Sequence, residues 1–289
     1  MTTEITTATS DIKAPYFVPA SSVSPVIINI GIFLMALGFI LKINALGGSL
    51  ILIAGISFLI YGVLKWINEM VSESEGGSYH AWEDRSYRIG MGYFIWGELM
   101  LFAGFILGLF YLRALSIPHL ASFTDLYPGF SATWPASGSG PAGESFTAIS
   151  ASGVPTINAV LLVISAALVV WARAGLAKRM RGQIAVGLVL TAVVGVAFVV
   201  SQFMEYGHAA SELGVTSSTG VYGSAFYMLT GFHIVHLVIG LIIIAVVLLR
   251  NAAQHFVSGP SFILDAIVWY WNFLVVAPGL LIFVYFYLI

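Results

Sequence analysis

The chain contains no cysteine, which excludes disulfides, iron–sulfur clusters and cysteine-ligated copper. That absence says nothing about redox compartment. Charge is also scarce, at 8% of residues against about 25% in soluble domains. The formal net charge of -2 offers no basic footprint for nucleic acid. Phosphate-cradling glycine loops, HExxH and Ser/His/Asp groupings are missing, so the chain carries no catalytic constellation of its own. No internal repeat is visible. A signal peptide is not expected, because the N-terminus is a polar tail and the first apolar run lacks a basic flank and a small-residue cleavage site.

What the chain has in quantity is apolar surface: 59% of its 289 residues are hydrophobic, and the mean hydropathy is +0.98. In a bilayer only helices and closed barrels satisfy every backbone group. Long unbroken apolar runs select helices. The expected fold is an all-α polytopic membrane protein with seven transmembrane helices. The spans are placed at Ser24–Ile43, Gly48–Ile67, Ile89–Leu112, Ile157–Leu176, Ile184–Tyr206, Gly223–Leu249 and Phe262–Ile289. About 20 residues cross the hydrocarbon, so the last two spans tilt or extend beyond it.

The connections are uneven. An Asn-Ala-Leu-Gly-Gly turn makes the first two spans an antiparallel hairpin, over 24–67, behind an N-terminal tail over 1–23. A polar, acidic linker over 68–88 separates that hairpin from a five-helix bundle over 89–289, giving a 2 + 5 arrangement. Within the bundle a long loop over 113–156 is rich in Gly, Pro and Ser.

Seven spans put Lys13, Lys65, Arg85, Arg88, Arg173, Lys178, Arg179, Arg181 and Arg250 on one side and only Lys42 and Arg113 on the other. Positive residues stay cytoplasmic, so the N-terminus and the 68–88 linker are expected inside. The C-terminus and the long loop are then outside.

Against this apolar background the polar residues inside spans carry the functional signal. Glu98 lies in mid-span and admits three roles: proton carrier, ion site, or hydrogen-bonding hub that glues helices together. Glu205 and His208 are three apart on one helix face, where a salt bridge at the interface is the simplest account. His233 and His236 are also three apart. They could ligate a metal or haem, but no other span carries an interior histidine, and Glu-x-x-His occurs once where a di-metal bundle needs it twice. Metal ligation is therefore not expected. A hydrogen bond from these histidines to another helix, with Glu98 or Glu205 as partner, is the favoured reading. Asp265 opens the last span, where a carboxylate meets the helix dipole. Trp269, Tyr270 and Trp271 follow as packing or interface anchors, and with Asp265 they are candidate lipid or headgroup contacts. Trp66, Glu69, Glu73, Trp82 and Arg88 flank the inner surface, where headgroup contacts compete with plain solvation.

Several of these stretches occur together, in order, in one known family. They are Arg88-Ile89-Gly90-Met91 with Phe94-Ile95, Glu98 and Phe102-Ala103-Gly104-Phe105; Trp134-Pro135; Val154-Pro155 with Asn158 and Trp171-Ala172; and Gln202 with Glu205-Tyr206. Then come Gly220-Val221-Tyr222-Gly223-Ser224-Ala225-Phe226-Tyr227 with Thr230-Gly231-Phe232-His233 and His236, and finally Trp269-Tyr270-Trp271 with Phe273. From about Trp66 onward the chain resembles subunit III of cytochrome c oxidase, in the haem–copper terminal oxidase superfamily. It departs from the family's usual pattern at Asn272 and Val275, where His and Asp are usual, at Pro260-Ser261 in place of a histidine pair, and at Asp265 in place of Glu. These departures point to a divergent prokaryotic member.

The resemblance implies seven helices split two and five by a V-shaped cleft that holds phospholipid. It implies a non-redox subunit of a respiratory complex that reduces oxygen to water, pumps protons and can join a respirasome. Haem and copper then reside in partner subunits I and II, and subunit I is the main contact. This chain supports assembly, proton uptake and lasting activity. It would sit in a prokaryotic plasma membrane. Subunit III of a quinol oxidase is the nearest alternative; a proton-coupled secondary transporter using Glu98 and Glu205 is the alternative of another class, although paired repeats and broken helices are not seen.

Overall fold

The computed structural model describes residues 17–79, 81–126, 130, 132–135, 146–253 and 262–288. Lys13, Pro260 and Ser261, used in the sequence reading, lie outside them, as do Ile289 at the end of the last span and part of the 113–156 loop. The described residues contain helices and no strand. Seven helices are long and apolar enough to cross a membrane.

The chain divides into two compact units, 1–87 and 88–289. In the first, α1 (Ser24–Ile43) and α2 (Ser49–Glu75) form a tight hairpin. Pro25 sits in the first turn of α1, where its missing N–H leaves no bond unmade. Small residues let the two backbones touch. A Cβ on Gly38 would lie 2.4 Å from the Leu52 nitrogen, and one on Gly55 would lie 2.4 Å from the Met35 nitrogen. Without a hydrophobic drive between helices in lipid, such close packing is what holds a hairpin together. Gly48 closes the turn at φ 87°, a conformation open to glycine.

The polar stretch expected as a linker is mostly helical. Helix α2 continues to Glu75 and α3 (Ala81–Tyr111) begins at Ala81, so only 76–79 is seen outside helix. Ser72, Glu73, Ser74 and Glu75 are polar but still helix-compatible. Their polarity marks departure from apolar surroundings, not the helix end. Beyond the expected end of the third span, α3 continues through a widened turn, Leu112–Ser116, into α4 (Ile117–Ala121). Pro118 cannot donate back to the preceding turn, and a π-type turn absorbs that defect.

The second unit is organised around α5 (Val154–Ala177), α6 (Arg181–Ser211), α7 (Gly220–Ala252) and α8 (Phe262–Leu274). After α8 the chain remains helical through widened turns at Val275–Leu280 and Phe283–Leu288, with Pro278 inside the first. Helices α5 and α6 pack closely where Gly187 faces Ala172. Their core with α7 and α8 includes Leu162, Val169, Leu188, Leu237, Ile244 and Trp271. A second cluster, with Tyr222, Phe226 and Phe286, lies toward the other end. Part of the long loop docks there: Trp134 meets the Tyr222 ring edge-on at 5.6 Å, and the Ile149 N–H donates to the Tyr222 hydroxyl at 3.0 Å. Large apolar side chains such as Tyr93, Met204 and Leu249 point outward, as expected for surfaces facing lipid.

Candidate functional site

Three polar clusters lie among the helices of the second unit. The first joins α3 to α7. His236 Nε2 lies 2.8 Å from Glu98 Oε2. Its other ring nitrogen, Nδ1, lies 2.7 Å from the Phe232 carbonyl one turn earlier. A carbonyl only accepts, so Nδ1 carries a hydrogen. Nε2 therefore faces Glu98 in one of two ways. A neutral imidazole accepts from a protonated Glu98, or an imidazolium donates to the carboxylate. Both forms share one proton and leave the pair without net charge. Phe102 packs edge-on against the His236 ring at 5.1 Å, and the Tyr270 hydroxyl donates to the His236 carbonyl at 3.2 Å. The side chains of His236 and Glu98 are only 11% and 18% exposed, so each needs the other.

His233 takes a different direction. Its Nε2 lies 3.2 Å from the Leu274 carbonyl. Pro278, four residues after Leu274, has no N–H to offer that carbonyl. His233 supplies a donor there, which assigns its hydrogen to Nε2 and leaves Nδ1 as an acceptor. The two histidines share a helix face but serve separate partners. Among the described residues no group of three or more His, Asp or Glu could hold a metal ion.

The second cluster surrounds Glu205, which is buried and does not form the expected salt bridge at an interface. His208 pairs instead with Glu212, one turn on, at 3.1 Å. Helix rotation directs Glu205 inward, where its carboxylate accepts from Gln202 Nε2 at 2.8 Å and from the Tyr287 hydroxyl at 3.2 Å. Gln202 Oε1 in turn accepts from Asn158 Nδ2 of α5 at 3.1 Å.

The third cluster corrects the reading of Asp265 as a simple helix cap. It does lie in the first turn of α8, but it is buried and bonded to two guanidinium groups from other helices. Arg88 Nη1 of α3 reaches Oδ2 at 2.7 Å, and Arg173 Nε of α5 pairs with Oδ1. Arg88 also lies over the Phe262 ring at 5.9 Å. Arg88 and Arg173 thus act as cross-links between helices.

Tyr270 and Trp271 are core residues, which corrects their reading as headgroup contacts. Trp271 is fully buried, donates from Nε1 to Ser165 Oγ at 2.9 Å, and fits beside Gly195 and Gly240, where any Cβ would crowd its ring. Trp269 remains 38% exposed and Trp66 47% exposed. In the first unit Glu73 accepts from the Tyr79 hydroxyl at 2.7 Å, and Glu69 accepts from Ser22 and Ser24. The sequence reading missed Tyr287, Arg173 as a partner of Asp265, and the carbonyl bonded by His233. Only the position of Pro278 carried a readable signal, since a proline cannot donate to the carbonyl four residues earlier.

The family model described as cytochrome c oxidase subunit III matches residues 14–289. The cytochrome c oxidase subunit 3 of Scyliorhinus canicula is 32% identical over 225 residues, covering 78% of each chain. That of Danio rerio is 31% identical over 224 residues, 77% of this chain and 78% of the relative. That of Prototheca wickerhamii is 30% identical over 265 residues, 90% of this chain and 92% of the relative. A match over nearly the whole length, on a seven-span helical fold, means that the chain belongs to the cytochrome c oxidase subunit III family.

Proposed function

We propose that this chain acts within a cytochrome c oxidase as the non-redox subunit that keeps the complex assembled and active over many turnovers, with the Glu98–His236 pair as its internal clasp. Family membership makes it part of that complex and leaves the quinol-oxidase and transporter readings without support. The observation that carries the clasp is the bond of 2.8 Å between Glu98 and His236, with the other histidine nitrogen already committed to a carbonyl. A carboxyl group so engaged is suited to organising helices and to holding a proton locally.

Subunit I is the main partner in this reading, subunit II the second, and haem and copper reside in them. Phospholipid is a bound component in this reading. Trp66, Trp269 and Arg88 are the residues offered to its headgroups. The membrane is a prokaryotic plasma membrane, with the N-terminus inside and the C-terminus outside. The charge distribution supports that orientation: nine of the eleven Lys and Arg residues fall on one side of seven spans.

The test is purification in mild detergent through a tag on this chain, with an absorbance spectrum, subunit and lipid mass spectrometry, and donor assays. A haem spectrum with two larger partners and oxidation of cytochrome c is expected. A colourless particle without partners would overturn the proposal. In that complex Glu98→Gln should leave initial oxygen reduction near normal and hasten its loss. Abolished initial activity in an assembled complex would refute the clasp.

A further inference from the structure

A small cavity of about 30 Å³ lies among α5, α6, α7 and the last helix, lined in part by Asn158, Gln202, Thr230, His233, Gly279 and Tyr287. It is independent of the Glu98 pair. Hydrogen-bond directions around it form a sequence. Tyr287 and Gln202 both donate to Glu205, so Gln202 turns its oxygen away. Asn158 therefore spends its Nδ2 donor on that oxygen. Its own Oδ1 is left as an acceptor, buried in a residue only 2% exposed and unpartnered among the described residues. On the opposite helix His233 donates from Nε2 to Leu274, which makes Nδ1 a second acceptor. Thr230 adds none of the missing donors: its hydroxyl donates to the Phe226 carbonyl at 2.5 Å and so accepts from Tyr206.

Two acceptors, Asn158 Oδ1 and His233 Nδ1, are matched by a ligand that carries two donors. The volume exceeds the roughly 10–15 Å³ that one water needs, and buried polar atoms of this kind are commonly served by ordered water. We propose that this cavity is a binding site for one structural water, which donates to Asn158 Oδ1 and to His233 Nδ1. The bound water completes a row from Tyr287 through Glu205, Gln202 and Asn158 to His233 and the Leu274 carbonyl. That row links four helices. Two of its links are side-chain amides, which do not hand on protons as water and carboxyl groups do. The row is therefore a positional device and not a proton path.

The inference concerns this chain alone and stands apart from the oxidase reading. It is tested on whatever intact particle the tagged chain yields, by a cryo-electron microscopy map fine enough to show other buried waters. A compact density within hydrogen-bonding distance of both acceptors is expected. A vacant cavity, or an elongated density such as an acyl chain, would overturn the proposal. Solid-state NMR of the reconstituted particle with 15N-histidine gives a second readout. Polarisation transfer from water to His233 Nδ1 is expected in the unmodified chain and should be lost in Asn158→Leu. Its absence from the unmodified chain would overturn the proposal even if the variant failed to assemble.

Discussion

Replacing Glu98 tests the clasp most directly. In Glu98→Ala the Nε2 atom of His236 loses its only partner among the described residues, in a mostly buried position, since Nδ1 is held by the Phe232 carbonyl. Leaving a buried polar atom unserved costs about 1–3 kcal/mol. Glu98→Gln keeps the chain length and offers an amide N–H to the same nitrogen, so its cost should stay below about 1 kcal/mol. Interhelical hydrogen bonds in membranes average only about 0.6 kcal/mol, because the separated helices find other partners. This bond joins ionisable groups and should sit toward the upper end, so a cycle of Glu98→Ala, His236→Ala and the double variant should show coupling of about 1–2 kcal/mol. A change of 1.4 kcal/mol is tenfold in an equilibrium, which steric trapping or detergent titration of the purified particle resolves. Coupling near zero, or equal costs for Gln and Ala, would refute the argument that this bond holds α3 to α7.

Asp265→Asn should cost about 1–3 kcal/mol in the same titration. That is below the roughly 3–5 of a fully buried broken pair, because Arg88 and Arg173 keep 27% and 50% side-chain exposure and can rehydrate. Asp265→Glu should be milder, and equal losses for the two variants would argue against charge pairing. Gly55→Leu should part the α1–α2 hairpin, because a Cβ there meets the Met35 backbone at 2.4 Å; spin-label distances across the hairpin, clean in a cysteine-free chain, would show no change if this packing were unimportant. The Tyr79 hydroxyl is held above the ordinary tyrosine value of 10.0 by burial first and then by hydrogen bonds with Tyr87 and Glu73. A raised value favours the protonated native form, so this contribution is complete below pH 10 and is lost as pH rises through the shifted value. Ultraviolet difference titration against Tyr79→Phe should show late ionisation, and a midpoint near 10 would count against it.

Some features were fully legible in the sequence because they depend on local composition. Seven long unbroken apolar runs dictate seven helices, since only helices and closed barrels satisfy backbone groups in hydrocarbon and runs of this length suit helices. The start of α1 at Ser24 is as expected, and the close hairpin follows from a short turn. The Glu98–His236 bond was one of two partner choices legible from the rarity of polar residues inside spans. The helix ends at Glu75 and Ala121 were not, because polarity reports where a helix meets water while helix propensity continues past that point.

Rotation and partner choice belonged to the tertiary structure. Glu205 and His208 are neighbours in sequence, yet packing turns the first inward to Gln202 and Tyr287 and leaves the second to Glu212. Asp265 is separated from Arg88 by 177 positions and from Arg173 by 92, so no local pattern could pair them. The sequence by itself determined that the chain is helical, apolar and marked by a few costly polar residues. Which of those residues meet was decided only when the helices packed, because one polar side chain in lipid has several possible partners and the close fit of neighbouring helices selects among them.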